Sequence, residues 1–589
     1  MVLNKDFYLK IFIFLKVIFI AVWLSNLAST DAYISVYVMI ALAAFYAVLQ
    51  NFEFSFSKKE HLIIQICSVF FSCLVLIANY PLFTRFRDLA YIQSSTNLLV
   101  NILNSFFSFV GGSIVGYSIL SFLYGKVKSQ GVCFPRSSGS KNYLFFFLLT
   151  FFSIFFINII HLFFVEYPGN LTEDTFTQIG EMVTGRYSNF NTFWHTVFVQ
   201  GFLKVGYALS GDLNGSVAFY CVVQSLILSF AFAYCLSTLY LLGVPVFFLI
   251  CSFFIYGILP YNIALSITIW KDVLFSAGCL LFICSVFRII YKIGRWNFTA
   301  YLFLIIGGFL FALSRNNGWY VFFATVCIFV WPLRKYWKLI IAMISVFIVC
   351  WFMTNPLLSM LNVSGGDYTE SLSIPLQQIS RVIAEGCELT EEETELISQV
   401  LDIEEVPSLY TNWLSDPIKI EFRSNNTAYF EENVGQYISL WFRLGVKYPG
   451  EYLKAWVDQT KGYWNAGYGY GMYSETVTDN PYGVEKTANN NIIAVLFRIY
   501  FGLSRHVIFF EPLHSIGLHV WITALCCMFN AMQKRKEWLL SVPLLVLVLG
   551  LCAGTPVYAS FRYAYPVFVC FPLIVGTAFY KTSEETTCE

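Results

Sequence analysis

Apolar runs long enough to cross a lipid bilayer recur along most of the 589-residue chain. A helix needs about 20 apolar residues to span the hydrocarbon layer. On that measure the sequence predicts about 14 spans, at residues 8–28, 33–50, 62–79, 97–124, 143–163, 216–241, 244–260, 273–291, 299–314, 318–332, 338–354, 506–530, 538–553 and 562–580. Only 12% of the residues are charged, against about 25% in soluble domains. The predicted fold class is therefore an all-α polytopic membrane protein.

The positions of the basic residues predict how these spans are oriented. If the N-terminus is cytoplasmic, the strongly basic short loops near residues 58, 126–141, 288–295, 334–338 and 534–536 all lie on the inner side. An excess of Lys and Arg in inner loops is typical of membrane proteins. We therefore expect cytoplasmic N- and C-termini, with residues 581–589 as an inner tail. The balance of 36 basic and 36 acidic residues indicates no nucleic-acid partner.

The sequence contains no strong signal for a bound cofactor. Most of the sixteen cysteines lie inside apolar runs, where a cysteine behaves as a small hydrophobic residue. No Cys/His cluster with zinc spacing, Walker loop or dinucleotide fingerprint is present. A divalent metal remains possible, but no dedicated ligand set is recognisable. Without an ATP motif, energy for any chemistry must arrive with the substrate.

Two segments on the outer side are longer than ordinary connections. Residues 164–215 contain two amphipathic stretches, at 172–183 and 192–209, of the kind that lies in the membrane interface. Residues 355–505 are numerous enough for a small folded domain. The acidic run at 388–405 in that domain is interpreted as a solvated helix face. We expect an outward loop with interfacial helices and a small extracytoplasmic domain.

Charged residues from four distant segments fall on the same outer layer in this topology. They are Asp174, the pair Lys271 and Asp272, Arg315, and Arg562. Ionisable groups at membrane depth are costly and therefore mark binding or catalysis. Each also has a structural explanation, because a cation can anchor a helix at the interface and Asp174 can cap one. Together they suit a reaction in which a carboxylate deprotonates a hydroxyl and cations stabilise a departing phosphate.

His195 is a second candidate base or donor on the same outer segment. A lone histidine in an apolar stretch is more often structural, so both interpretations stay open.

Several short stretches together carry a resemblance to a known group of proteins. They are Tyr167-Pro168-Gly169, Glu173-Asp174-Thr175, Gln178, Tyr187-Ser188-Asn189, His195-Thr196, Trp270-Lys271-Asp272, Arg315-Asn316-Asn317-Gly318, 374–381 and Arg562-Tyr563-Ala564-Tyr565-Pro566. The sequence resembles an uncharacterised family of bacterial multispan membrane proteins, itself similar to the GT-C glycosyltransferase superfamily. The resemblance covers roughly residues 143–580. It implies a GT-C-like transmembrane core in a bacterial cytoplasmic membrane.

The resemblance also implies a division of the chain. Residues 1–142 would be an N-terminal four-span addition, and 143–354 the core with its catalytic outward loop at 164–215. Residues 355–505 would form the extracytoplasmic domain, and 506–580 the C-terminal spans.

The roles implied by the resemblance are those of a sugar transferase. GT-C enzymes carry an acidic residue in the first outward loop of the core, and Asp174 matches that position. It would act as general base, with Glu173 as its neighbour and possible substitute, and with inversion at the anomeric carbon. The donor would be a polyprenyl-phosphate-linked sugar, and the acceptor a glycan, lipid or protein. The implied substrate-binding residues are His195, Lys271, Asp272, Arg315, Asn316, Gln378, Arg381, Arg562 and Tyr563.

Two other functions use the same charges differently. A lipid-linked glycan flippase or transporter would line a translocation path with them, and a non-catalytic scaffold would only bind glycans. Transporters often show paired halves with broken spans, and the sequence has no such internal symmetry. Retained donor turnover after Asp174→Asn would favour either of these functions. The sugar, the acceptor and the oligomeric state are left open by the sequence.

Overall fold

The computed structural model describes residues 5–27, 40, 54–81, 94–129, 132–134, 142–293, 297–467, 479–487, 490–506 and 511–582. Nearly all regular structure in these residues is helical. The α-helices are α1 (Lys5–Leu27), α2 (Lys58–Ala78), α3 (Ser94–Ser129), α4 (Tyr143–Phe164), α5 (Glu173–Thr184), α6 (Phe193–Ser210), α7 (Leu213–Leu242), α8 (Val246–Gly257), α9 (Pro260–Ser266), α10 (Lys271–Tyr291), α11 (Asn297–Leu313), α12 (Gly318–Val330), α13 (Trp337–Thr354), α14 (Pro356–Met360), α15 (Ser373–Ala384), α16 (Glu391–Ser398), α17 (Val406–Leu409), α18 (Asp416–Ser424), α19 (Thr427–Glu432), α20 (Val434–Lys447), α21 (Pro449–Trp464), α22 (Ile492–His506), α23 (Glu511–His514), α24 (Ile516–Met532), α25 (Val542–Gly554) and α26 (Phe561–Phe579).

Three short elements complete the described structure. Two 3₁₀ helices cover Tyr368–Leu372 and Lys536–Ser541. The strands β1 (Val132–Phe134) and β2 (Tyr580–Thr582) pair in parallel, with Val132 opposite Tyr580.

Eight helical segments within the described residues are long and apolar enough to cross a membrane. They are Lys58–Ala78, Leu98–Ser129, Tyr143–Phe164, Leu213–Leu242, Lys271–Tyr291, Trp337–Met360, Lys536–Gly554 and Phe561–Phe579. The pair α8 and α9, bent by 48° at its break, makes a possible ninth. The chain is an all-α, multi-pass membrane protein, which confirms the fold class at this level.

The count of about 14 spans stays a prediction. The other apolar helices, which include α11, α12 and α24, have only 10–17 residues in their apolar part. An α-helix rises 1.5 Å per residue, so these helices fall short of the length that a perpendicular span requires. Residue 40 is the only part of the predicted span 33–50 that lies within the described residues.

Helix α10 is the centre of the membrane bundle. Its residues 272–290 are all buried, and it packs against α7, α11 and α26. By contrast, α4 exposes large apolar side chains such as Phe145, Phe152 and Phe156, as expected of a helix that faces lipid. Because α10 contacts protein on every side, it fixes where the surrounding helices place their residues.

The close approach of α10 and α11 depends on glycine. A Cβ atom at Gly278 would lie 2.6 Å from both the backbone nitrogen of Phe311 and the Cβ of Leu310. A Cβ atom at Gly307 would lie 2.7 Å from the backbone nitrogen of Phe282. Small residues at helix contacts let backbones come together in membranes, where packing drives association.

The two predicted amphipathic stretches form helices α5 and α6, which begin one residue later than predicted. The backbone N–H of Thr172 donates to Thr175 Oγ1 at the start of α5, and Gly185 ends α5 with φ +67°. The left-handed conformation of Gly185 is one that glycine adopts at no steric cost. Thr172 is therefore the N-cap residue, and Asp174 is left in the first turn with its carboxylate available for other partners.

Residues 368–464 form what we call the small helical domain. A separate hydrophobic cluster in it includes Leu376, Ile397, Phe422 and Leu440. The domain's last helix, α21, contacts α24 and α25 of the membrane bundle. Its boundaries differ from the predicted range 355–505, which stays a prediction because 468–478 and 488–489 lie outside the described residues.

We predict that Gly278→Ala destabilises the protein by about 1–3 kcal/mol, because the added methyl group overpacks the α10–α11 contact. Thermal unfolding of the purified protein in detergent measures this effect. Gly550→Ala is the matched control, since a Cβ atom at Gly550 meets nothing within 4 Å. Equal melting temperatures for the two variants would contradict the tight contact.

Candidate functional site

Asp174 lies at the start of α5 and contacts two cations from distant parts of the chain. Arg562 Nη1 donates to Asp174 Oδ2 at 2.9 Å, and Lys271 Nζ lies 3.9 Å from the same oxygen. Arg562 is the second residue of α26, and Lys271 is the first residue of α10. The carboxylate keeps 24% of its side-chain surface exposed, so a substrate can reach it.

Asp272, next to Lys271, pairs with Arg315. The Arg315 Nη1 and Asp272 Oδ1 atoms are 2.8 Å apart. The distance is that of an ion pair, but the angles are not those of a hydrogen bond, so neither Asp272 oxygen has a hydrogen-bond partner in the described part of the chain. The Asp272 side chain is only 1% exposed. It is thus a buried carboxylate that depends on Arg315 for compensation.

Tyr563 lies between the two guanidinium groups. Arg562 Nη2 donates to the Tyr563 hydroxyl at 3.2 Å, and Arg315 Nη1 donates to the Tyr563 backbone carbonyl at 3.4 Å. The guanidinium carbons of Arg562 and Arg315 lie 5.0 and 4.9 Å from the centre of the Tyr563 ring. Arg562 also lies 5.0 Å from the Trp270 ring. Cation–π contacts of this kind hold the arginines in place.

Asp174, Lys271, Asp272, Arg315 and Arg562 form what we call the charge cluster. It contains two carboxylates and three cations, so it carries one positive charge in excess when all five are ionised. Burial raises the pKa of the Asp174 carboxyl, but Lys271 and Arg562 outweigh burial and hold that pKa below its ordinary value. Asp174 is therefore ionised at neutral pH, and the cluster favours an anionic ligand.

His195 lies behind α5, where it is 3% exposed. Its Nδ1 is 2.9 Å from Gln178 Nε2, and its Nε2 is 3.4 Å from the Tyr220 hydroxyl. Burial, with a smaller contribution from Lys271, lowers the pKa of His195 to about 3. His195 is thus a neutral, hydrogen-bonded group at neutral pH, which suits positioning more than proton transfer.

Two asparagines hold the connection between α5 and α6 against the charge cluster. Asn191 Oδ1 accepts a hydrogen bond from Lys271 Nζ at 3.1 Å, and Asn191 Nδ2 donates to the Asp174 carbonyl at 3.4 Å. Asn316 Nδ2 donates to the carbonyls of Asn189 and Phe190 at 2.7 and 3.0 Å. Sequence reasoning missed Asn191, because a single asparagine before a helix gives no signal of its long-range partners.

Gln378 and Arg381 lie in the small helical domain rather than in the charge cluster. Arg381 pairs with Glu451 at 2.9 Å and with Asp458 at 3.0 Å. Gln378 Nε2 donates to the Tyr452 carbonyl at 3.2 Å, and its Oε1 accepts from Trp441. These contacts hold α15 against α20 and α21. Both residues therefore have structural partners within the small helical domain, away from the charge cluster.

Glu173 is exposed at the start of α5 and stands apart from the contacts that Asp174 makes. Within the described ranges, no three His, Cys, Asp or Glu side chains are close enough together to hold a metal ion. The residues that could contact an anionic ligand are the three cations of the charge cluster.

Comparison with known proteins gives one match. No curated protein and no solved structure matches the chain. Residues 181–589 match the family of unknown function designated DUF6020. The match contains His195, Lys271, Asp272, Arg315 and Arg562, and it begins seven residues after Asp174. Because the match covers more than half of its length, the chain belongs to the DUF6020 family.

Proposed function

We propose that the protein is an inverting glycosyltransferase that moves a sugar from a polyprenyl-phosphate carrier to a cell-envelope acceptor. The observation that carries this proposal is the charge cluster, in which an accessible carboxylate lies 2.9 Å from an arginine and 3.9 Å from a lysine. The cluster couples a base with an excess of positive charge. A base is needed for the acceptor hydroxyl, and positive charge is needed for the departing phosphate.

The reaction follows from these two parts. Lys271, Arg315 and Arg562 bind the donor phosphate and stabilise its developing charge. Asp174 accepts the proton of the acceptor hydroxyl as that oxygen attacks the anomeric carbon. The bond between the anomeric carbon and the phosphate oxygen breaks, and its electron pair leaves with the polyprenyl phosphate. A single displacement of this kind inverts the anomeric configuration.

Donor binding would also change the pKa of the Asp174 carboxyl. In the structure, Arg562 donates directly to Asp174. The anionic donor phosphate competes for the same guanidinium, and the weaker pairing together with the nearby negative charge lets the pKa of the Asp174 carboxyl rise. Asp174 would then become a stronger base when the donor is in place. Because the base becomes stronger only after the donor binds, the acceptor hydroxyl would not lose its proton before the leaving group is in place.

The proposal includes the finer points of architecture. We place the charge cluster on the outer face of a bacterial cytoplasmic membrane, with both termini inside and about 14 spans around a GT-C-like core. The basic short loops support this orientation. Helices α5 and α6, which flank the connection that contacts Lys271, support the interfacial loop.

We predict that Asp174→Asn lowers the rate of transfer by about 10²–10⁴-fold, because it removes the general base. Glu173→Gln should retain most activity, because Glu173 is exposed beside Asp174 but does not share its ion pairs. The measurement is mass spectrometry of polyprenyl-linked sugars and envelope glycans in a deletion strain of the native host carrying each variant. In the Asp174→Asn strain, a sugar carrier accumulates and one glycan lacks a residue.

Membrane levels of each variant, measured by immunoblotting, control for loss of protein. A wild-type glycan pattern with Asp174→Asn would exclude the base role and favour a flippase or a scaffold. Loss of transfer with Glu173→Gln alone would assign the base to Glu173 instead.

We predict that Arg562→Gln lowers transfer by about 10²-fold or more, because it removes a cation that stabilises the departing phosphate. Arg562→Lys should recover part of the activity, since it keeps the charge but loses the planar fork of donors. Transfer by purified membranes to endogenous acceptors measures both variants. Arg186→Gln is the matched control, because Arg186 is an exposed arginine on the connection between α5 and α6, outside the charge cluster. Equal activity of Arg186→Gln and Arg562→Gln would contradict the assignment.

We predict that lowering the pH from 8 to about 5 causes no loss of transfer activity. The folded-state pKa of Asp174 lies below its unfolded value of 3.8, so its ionised form is lost only as the pH falls through that lower pKa. The pKa of His195, about 3, places its protonation outside the same window. The measurement is the pH profile of transfer in purified membranes. An acid limb near pH 6.5 that disappears in His195→Gln would identify His195 as the base.

A further inference from the structure

A surface cavity away from the charge cluster lies beside the segment that leads into α26. We call this segment, residues 555–560, the strap. The cavity has a volume of about 410 Å³ and is lined by Asn412, Trp413, Asp458, Lys461 and Tyr558. Trp413 is 48% exposed, so its ring is accessible to a ligand in the cavity. The cavity thus combines two aromatic rings with three polar side chains.

The walls of the cavity are held in fixed positions by the backbone. The Tyr558 N–H donates to the Trp413 carbonyl at 2.9 Å, and the Ser415 N–H donates to the Pro556 carbonyl at 2.9 Å. On its other side, the strap is held by α21. Gln459 Nε2 donates to the Thr555 carbonyl at 3.1 Å. The two rings therefore face the cavity from paired segments rather than from loose loops, which favours pre-organised binding.

The polar edge of the cavity is also held in place. Asp458 accepts from Lys461 at 2.8 Å, from Arg381 at 3.0 Å and from the Tyr80 hydroxyl at 2.8 Å. Asp458 pairs with both Lys461 and Arg381, and Arg381 also pairs with Glu451, so two carboxylates balance two cations beside the cavity. A pocket of this kind offers hydrogen-bond donors and acceptors without the excess positive charge found at the charge cluster. Its chemistry suits a neutral ligand with many hydroxyl groups.

We propose that this cavity binds a sugar ring of the glycan acceptor. The C–H face of a pyranose packs on an aromatic ring, and its hydroxyl groups exchange hydrogen bonds with amide and ammonium groups such as those of Asn412 and Lys461. Sugar binding stands on the cavity itself, whereas its role as acceptor site rests on the proposed transferase function. The proposed acceptor is therefore a glycan rather than a protein or a simple lipid.

The cavity is close enough to the charge cluster for one glycan to reach both. Tyr558 precedes Arg562 by four residues, so their Cα atoms lie at most about 14 Å apart. A ring bound against Trp413 and Tyr558 would leave the next ring or rings of the chain to extend toward Asp174. The strap thereby connects acceptor binding with the arginine that pairs with the base.

The test measures glycan binding by the full-length protein in nanodiscs free of sugar-headed detergent. The probes are fluorescently tagged di- to hexasaccharides released from the host's envelope glycans, and the readout is fluorescence anisotropy. We expect wild type and Arg186→Gln, a change at an exposed residue outside both sites, to bind equally, and Trp413→Ala to bind about tenfold more weakly. Trp413→Phe should restore most of the affinity, because it restores an aromatic face.

Trp413→Ala removes an edge-on contact with the Tyr558 ring, 6.5 Å away between ring centres, but it should keep the fold because the strap is also held by the backbone carbonyl of Trp413. Asn412→Ala provides a second variant, since Asn412 is exposed and its loss removes only an amide. No binding of any probe by wild type, or equal binding by wild type and Trp413→Ala, would overturn the proposal.

The two proposals fail separately. If no oligosaccharide binds while Asp174→Asn still alters the envelope glycans, only the acceptor cavity is wrong. If binding depends on Trp413 while Asp174→Asn leaves the glycans unchanged, sugar binding is supported and the transferase mechanism fails.

Discussion

The burial of α10 is the constraint on which the rest of the site depends. Its residues 272–290 are all enclosed by protein, so a charged group near its start cannot simply extend into water. Asp272, at 1% exposure, must be compensated by the protein, and Arg315 provides that compensation at 2.8 Å. Loss of one partner in a buried pair costs about 3–5 kcal/mol. The packing of helices around α10 and the pairing of the buried charges therefore depend on each other.

Under the proposed function, the same constraint accounts for the charge that an anionic donor would meet. The charge cluster has more cations than carboxylates, and Lys271 and Arg562 share a single oxygen of Asp174. A phosphate could therefore take over part of the pairing of Lys271 and Arg562, while Arg315 keeps its 2.8 Å contact with the buried Asp272 carboxylate through Nη1. A purely structural network would gain nothing from an accessible carboxylate and an excess cation. The exposure of Asp174 is thus the feature that most favours chemistry over packing.

Sequence reasoning predicted the parts of the structure that depend on local pattern. Hydropathy predicted the all-α membrane fold, and amphipathic periodicity located α5 and α6 to within one residue. The charges that topology placed on one layer, Asp174, Lys271, Asp272, Arg315 and Arg562, do contact one another.

The span number stays a prediction, and the partners of remote residues could not be predicted from local pattern. Hydropathy located α11, predicted as the span 299–314 and observed at Asn297–Leu313, but it does not show whether a helix of 17 residues crosses the membrane. Arg381 and Gln378 were grouped with the charge cluster through resemblance alone. Their partners Glu451, Asp458 and Tyr452 are set by long-range packing within the small helical domain. No local pattern of residues reports such packing.

The strap physically links the small helical domain to the charge cluster. Its pairing with residues 413–415 ties the small helical domain to the first turn of α26, where Arg562 meets Asp174. Tyr463 adds a second tie, because its hydroxyl accepts from the Ser560 N–H and lies 3.0 Å from Thr555 Oγ1. A ligand that packs against Trp413 and Tyr558 therefore binds to the same rigid segment that positions Arg562. Under the proposed mechanism, the acceptor would be oriented by the segment that also sets the charge around the base.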